Sequence, residues 1–183
     1  MRTMIRSGLV ALLAIGLLSC ESRTDKTDGG GVLLSISAFN GLPVTFSVNN
    51  GGTLVQVDNL TLRNVAKNPS AETGALMDVE VTNYTVTYKR LDKGTRTPPA
   101  LSDGLFGTVP VNSTDVIVNL PVMTAAQLRN PPLSDLLLAN GGLDSETLSP
   151  VIPIELQLTF YGKTLSGDSV STQTATWHID FTP

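Results

Sequence analysis

Nucleophilic or general-base chemistry in this 183-residue chain would have to pass through His178, its single histidine. A Ser-His-Asp relay needs that imidazole beside a hydroxyl and a carboxylate, and no G-x-S-x-G elbow accompanies it. Strand alternation sets His178 on the face opposite Trp177, toward solvent or a sheet edge, so no catalytic role is expected of it. One histidine and one cysteine, Cys20, cannot supply a closed set of zinc ligands. Gly162-Lys163-Thr164 has the ending of a phosphate-binding loop. The glycine required five positions earlier is replaced by Gln157, inside a strand pattern, and no long helix follows. The cradle of backbone amides therefore cannot form. Calcium needs several carboxylates converging on one loop. Asp25 and Asp28 lie far from Asp144 and Glu146 in the chain, and the latter two alone are too few. No enzyme activity, metal or cofactor is expected.

Two groups of residues remain as a candidate interaction surface. Lys89, Arg90, Lys93 and Arg96 form the one basic cluster, at the end of the longest strand pattern. It could meet an anionic partner or a lipid headgroup, or be a solvated hairpin loop, which is the favoured reading. Tyr84 and Tyr88 share a face, which is either core or a recognition stripe. Asn59-Leu60-Thr61, Asn83-Tyr84-Thr85 and Asn112-Ser113-Thr114 match the glycosylation sequon.

The elements that position these residues begin with the address. Arg2 and Arg6 precede an apolar run from Leu9 to Leu18, closed by Leu17-Leu18-Ser19-Cys20. Ten residues of helix span roughly 15 Å, about half of a bilayer core, which suits a secretory segment and not a permanent span. This order resembles the signal peptide and lipobox of bacterial lipoproteins. Leu18 departs from the commonest lipobox, which has a small residue there. The resemblance implies that residues 1–19 form a signal helix that is cleaved, and that Cys20 is acylated and anchored in a lipid bilayer by several chains. The alternative is an ordinary cleaved signal peptide with an incidental cysteine. With Cys20 the sole cysteine, no intramolecular disulfide forms. Glu21, where a retention signal would place Asp, leans toward the outer membrane of the cell envelope.

Without residues 1–19 the chain loses Arg2 and Arg6, leaving 10 cationic against 16 acidic residues, a formal charge of −6. Such a body is a poor binder of nucleic acid. Residues 20–31 comprise the cysteine and a polar, mixed-charge stretch ending in Gly29-Gly30-Gly31, which reads as a flexible tether. Residues 32–183 suit one domain.

That domain reads as β throughout. Val32 to Ala38 alternates, Asn40-Gly41 is a strong turn pair, and Leu42 to Val48 alternates again, which predicts a hairpin. Asn49-Asn50-Gly51-Gly52 is the next turn. Val55 and Val57 are followed by Leu60 and Leu62 in the other phase, and Val79 and Val81 by Tyr84, Val86 and Tyr88. Such flips mark bulges or strands crossing between sheets. Lys89 to Leu105 is expected to be a long loop, and Val116 to Val122 a strand. A brief helical insertion around Leu133 to Leu138 is stopped by Gly141-Gly142. Ile152 to Tyr161 and Ala175 to Phe181 alternate cleanly. About eight strands and almost no helix predict an all-β, antiparallel, immunoglobulin-like or fibronectin III-like β-sandwich. The pairing of YTVTYKR with LTFYGKTLSGDSVS and a closing aromatic strand resembles uncharacterised bacterial lipoproteins with such a sandwich. The expected function is a non-enzymatic structural or protein-interaction module, partnered by other envelope proteins. A small-ligand or glycan-binding module is the alternative, and exposure of Tyr84, Tyr88 and Tyr161 would favour it.

Overall fold

A computed structural model describes residues 31–49, 54–70 and 72–183. The expected signal segment, Cys20, the stretch before Gly31 and the centre of the Asn49–Gly52 turn lie outside these residues. Alternation of apolar and polar side chains decides most of the architecture. Along β7 (Ile152–Thr164), Ile152, Ile154, Leu156, Leu158 and Phe160 are all fully buried, while their neighbours are half-exposed. Trp177, Ile179 and Phe181 do the same in β9 (Ala175–Thr182). β7 pairs with β9 on one side and with β4 (Val79–Arg90) on the other, so it is central. The six-stranded sheet runs β2-β9-β7-β4-β5, where β2 is Thr45–Ser47 and β5 is Leu101–Val109, and the short β8 (Ser169–Ser171) pairs with β7. A second sheet runs β1-β3-β6, from Val32–Asn40, Leu54–Ala66 and Ser113–Thr124. The protein is thus mostly β, and residues from both sheets belong to one hydrophobic core.

Both phase flips occur inside continuous strands. In β3, Asp58 and Asn59 are both exposed between buried Val57 and Leu60. In β4, pairing slips at Thr82, which has no partner in β7 and none in β5, where Leu105 and Phe106 are unmatched too. The bulge brings two backbones close, and this explains Gly162. A Cβ there would stand 2.4 Å from the Glu80 carbonyl oxygen and 3.0 Å from the Val81 Cα.

The helical insertion joins β6 to β7. Helix α1 (Ala125–Leu128) starts at a capping box, where the Thr124 hydroxyl accepts from the Gln127 amide and the Gln127 side chain accepts from the Thr124 amide. Two 3₁₀ turns follow, Leu133–Leu136 and Leu138–Asn140, and Gly141 ends the second with a left-handed φ of 103°.

Three expectations need correction. β1 and β2 do not form a hairpin: β1 pairs with β3, and β2 pairs in parallel with β9. Alternation assigns a face to each strand but not a partner, and after Asn40 the chain crosses to the other sheet. There Phe46 packs on Phe181, with ring centroids 5.9 Å apart. The expected loop reaching Leu105 ends ten residues after Arg90, because β5 starts at Leu101. As an edge strand carrying Gly104 and Gly107, β5 shows no alternation to read. With β5 and the three-residue β8, nine strands stand among the described residues where about eight were expected.

Replacing Gly162 by alanine is expected to lower stability by about 1–3 kcal/mol, since rigid backbone and not a side chain must yield. Urea unfolding would show this as a lower midpoint with an unchanged slope.

Candidate functional site

The basic cluster of the sequence is, in three dimensions, mostly a neutralised one. β4 ends by carrying Arg90 into the interior, where its side chain is only 2% exposed. A buried guanidinium must be paired, and carboxylates from two separate segments meet it. Asp92 accepts from Arg90 Nε at 2.7 Å and also from Nη2. Asp144, fully buried, accepts from Nη2 at 3.0 Å, with the Thr147 amide at 3.0 Å and hydroxyl at 2.7 Å on the same oxygen. Glu146 stands 3.8 Å from Nη1. Gly94 lies flat on the guanidinium, so that a Cβ there would come within 2.3 Å of Arg90 Cζ.

Arg96 forms the outer half of the cluster. It donates to Asp135 at 2.8 Å and to the Ser145 hydroxyl, and lies 3.7 Å from both Asp144 and Glu146. Glu146 in turn accepts from the backbone amides of Thr95 and Arg96 at 2.8 and 3.0 Å. Two guanidiniums thus face four carboxylates, and an anionic partner finds no surplus positive charge here. The carboxylates titrate accordingly. Burial alone would raise the Asp144 carboxyl, but hydrogen bonds from Arg90 and Thr147 outweigh it and hold the group at about 2. Hydrogen bonding from Arg90 lowers Asp92. Asp135 is also lowered, its burial being outweighed by Ser145 and Arg96.

Of the six residues expected on an interaction surface, Tyr84, Tyr88 and Arg90 are buried and belong to the interior. The Tyr84 hydroxyl donates to the Pro121 carbonyl at 2.8 Å and that of Tyr88 to the Val122 carbonyl at 2.7 Å, tying β4 to β6 of the other sheet. Burial, helped by Asp103, pushes Tyr84 up to about 12, and burial also raises Tyr88. Of the three tyrosines that would mark a glycan site, only Tyr161 is exposed, at 39%. Lys89 and Lys93 are exposed, and Lys89 stands opposite Glu155 in the sheet. Arg96 is partly exposed but committed to the carboxylates. Among the described residues no three His, Cys, Asp or Glu side chains are grouped to hold a metal. Asp144 and Glu146 serve the arginines instead. His178 is exposed and contacts Asp180 at 2.9 Å. Gly162-Lys163-Thr164 lies within β7.

A feature without a clear sequence signal lies where the two sheets meet at β5 and β6. Each is the outermost strand of its sheet, and a groove of about 250 Å³ runs between them. Leu105, Phe106, Val116, Ile117 and Val118 line it, with Leu62 and Val81 below. Phe106 is 87% exposed and Val118 61%. Asp115 also lines it, and no cation among the described residues forms an ion pair with that carboxylate. An apolar trough flanked by unpaired strand edges, with one carboxylate, can accept an extended chain.

The chain matches no family model and no curated protein. Two solved structures align with parts of the chain. A crystal structure of a protein from Archaeoglobus fulgidus aligns at 10% identity over 85% of this chain and 97% of that one, with a TM-score of 0.41. A solution structure of a protein from Arabidopsis thaliana aligns at 13% identity over 87% and 85%, also at 0.41.

The Arg90–Asp144 pairing makes stability depend on pH in a defined direction. The Asp144 carboxyl is more acidic folded than its ordinary 3.8, so the folded state holds fewer protons and its contribution is complete above about pH 4. It is lost as the pH falls toward about 2. Asp144→Asn should cost about 3 kcal/mol at neutral pH and flatten the acid limb of a stability–pH curve from urea unfolding.

Proposed function

We propose that this chain is a membrane-anchored lipoprotein of the bacterial cell envelope that acts as a non-enzymatic protein-interaction module. In this reading residues 1–19 are removed, acylated Cys20 holds the protein in the bilayer of the outer membrane, and the described residues form an immunoglobulin-like sandwich, antiparallel except where β2 meets β9. The order of Arg2, Arg6, the Leu9–Leu18 run and Leu17-Leu18-Ser19-Cys20 supports the anchor. The groove between the outermost strands β5 and β6 carries the interaction.

Its occupant is an extended segment of another envelope protein. Free amides and carbonyls of an edge strand give affinity to any strand-forming chain, while the trough selects apolar side chains at alternate positions. Asp115, without an ion pair from the described residues, adds a requirement for lysine or arginine between them. Commitment of Arg90 and Arg96 to internal carboxylates is consistent with recognition at the groove and not at the basic loop.

The probe for this reading is an end-blocked hexapeptide alternating valine with lysine, mixed with the full chain. Hydrogen exchange should slow at backbone amides of β5 or β6, and Asp115→Lys should weaken binding by roughly tenfold or more. Unchanged exchange at millimolar peptide, or indifference to Asp115→Lys, would contradict the reading.

A further inference from the structure

The described body has two ends, and only one adjoins the chain that leads to Cys20. Gly31 sits at that end: its carbonyl accepts from the Lys67 amide at 2.9 Å, and a Cβ on it would lie 3.7 Å from the Met77 Cε. Next to Met77 is Leu76, 66% exposed on the 3₁₀ turn Ala75–Met77, and beside it Leu165, 50% exposed in the turn after β7. Two backbone hydrogen bonds hold these turns together, from the Leu165 amide to the Asp78 carbonyl at 2.9 Å and from the Ser166 amide to the Leu76 carbonyl at 3.0 Å. Two large, exposed apolar side chains therefore stand on two turns braced against each other, at the end where Gly31 enters the body.

We propose that this end rests on the lipid surface, with Leu76 and Leu165 dipping into the interface. The proposal rests on the reading of Cys20 as acylated and specifies how the body is oriented once anchored. Ten residues separate Cys20 from Gly31, and the eleven steps between the two reach at most ~40 Å. This end is thus held close to the bilayer at high effective concentration, so a contact too weak to recruit a free protein is populated here. The opposite end is a strand away, roughly 36 Å along the 12 residues of β6. Leu138 and Leu148, 71% and 74% exposed in the β6–β7 connection, lie toward that far end. Charge does not select the surface, because cations and carboxylates are mixed there: Lys163 stands opposite Glu80, and Asp168 is in the turn that follows β7. The contact is apolar and belongs to zwitterionic lipid as well as to anionic lipid.

The test uses the full acylated chain, isolated from its native membrane and reconstituted in phosphatidylcholine vesicles. Leu76→Cys or Leu165→Cys carries an environment-sensitive fluorophore, and Leu148→Cys serves as the distal control. Acylation of Cys20 leaves the introduced thiol as the sole reactive one. The expected result is blue-shifted emission at positions 76 and 165, quenched by lipid spin labels near the headgroups and unchanged by high salt, with water-like emission at 148. Leu165→Asp should abolish the shift at position 76. Flotation of the chain with vesicles, measured on the same samples, separates the two possible failures. A floating chain with water-like emission at position 76, or a signal removed by salt, overturns the proposal alone. A chain that does not float overturns the anchor as well.

Discussion

Arg90 cannot be left unpaired where β4 delivers it, and much of one end of the molecule is built around that constraint. A guanidinium this buried is tolerated only with carboxylates at hydrogen-bond distance, and Asp92 and Asp144 supply them from two separate segments. Asp144 belongs to the connection between β6 and β7, so the pair fastens that long excursion to the end of β4. Arg96, Asp135 and Glu146 extend the same network outward and capture the backbone of the segment leading to β5. The arrangement fixes the loops that carry the chain between the sheets, and it consumes the charge that a binding surface would have offered.

The other link between sheets is also polar. Tyr84 and Tyr88 spend their hydroxyls on carbonyls of β6, and Gln127 donates to the Tyr88 oxygen at 3.1 Å and to the Pro99 carbonyl at 2.6 Å. Core aromatics thereby hold one sheet to the other and to α1.

Legibility in the residues depended on whether a local pattern carried the feature. Ile152 to Phe160 and Trp177 to Phe181 declared their buried faces, and the doubled polar pairs at Asp58-Asn59 and Thr82-Asn83 marked phase changes that do occur within strands. The capacity of Gly141 to stop a helical segment was equally local. Strand partners were not, which is why β1 and β2 looked like a hairpin. β5 escaped because an edge strand with two glycines and little burial has no alternation. The basic cluster misled for a related reason: Asp144 and Asp135 lie about fifty and forty positions from their arginines, so the neutralisation is a property of the fold alone. The groove likewise exists only because two strands of different sheets end up as neighbours.

The proposed anchor and the proposed lipid contact at the Gly31 end both require that Cys20 hold the protein to a membrane. Intact mass measurement of the mature protein from its native membrane, beside a Cys20→Ala variant, tests that most directly. The predicted result is a chain beginning at Cys20 with an added acyl mass, and a variant without that mass. A mature chain that starts elsewhere, or that carries an unmodified Cys20, would contradict it.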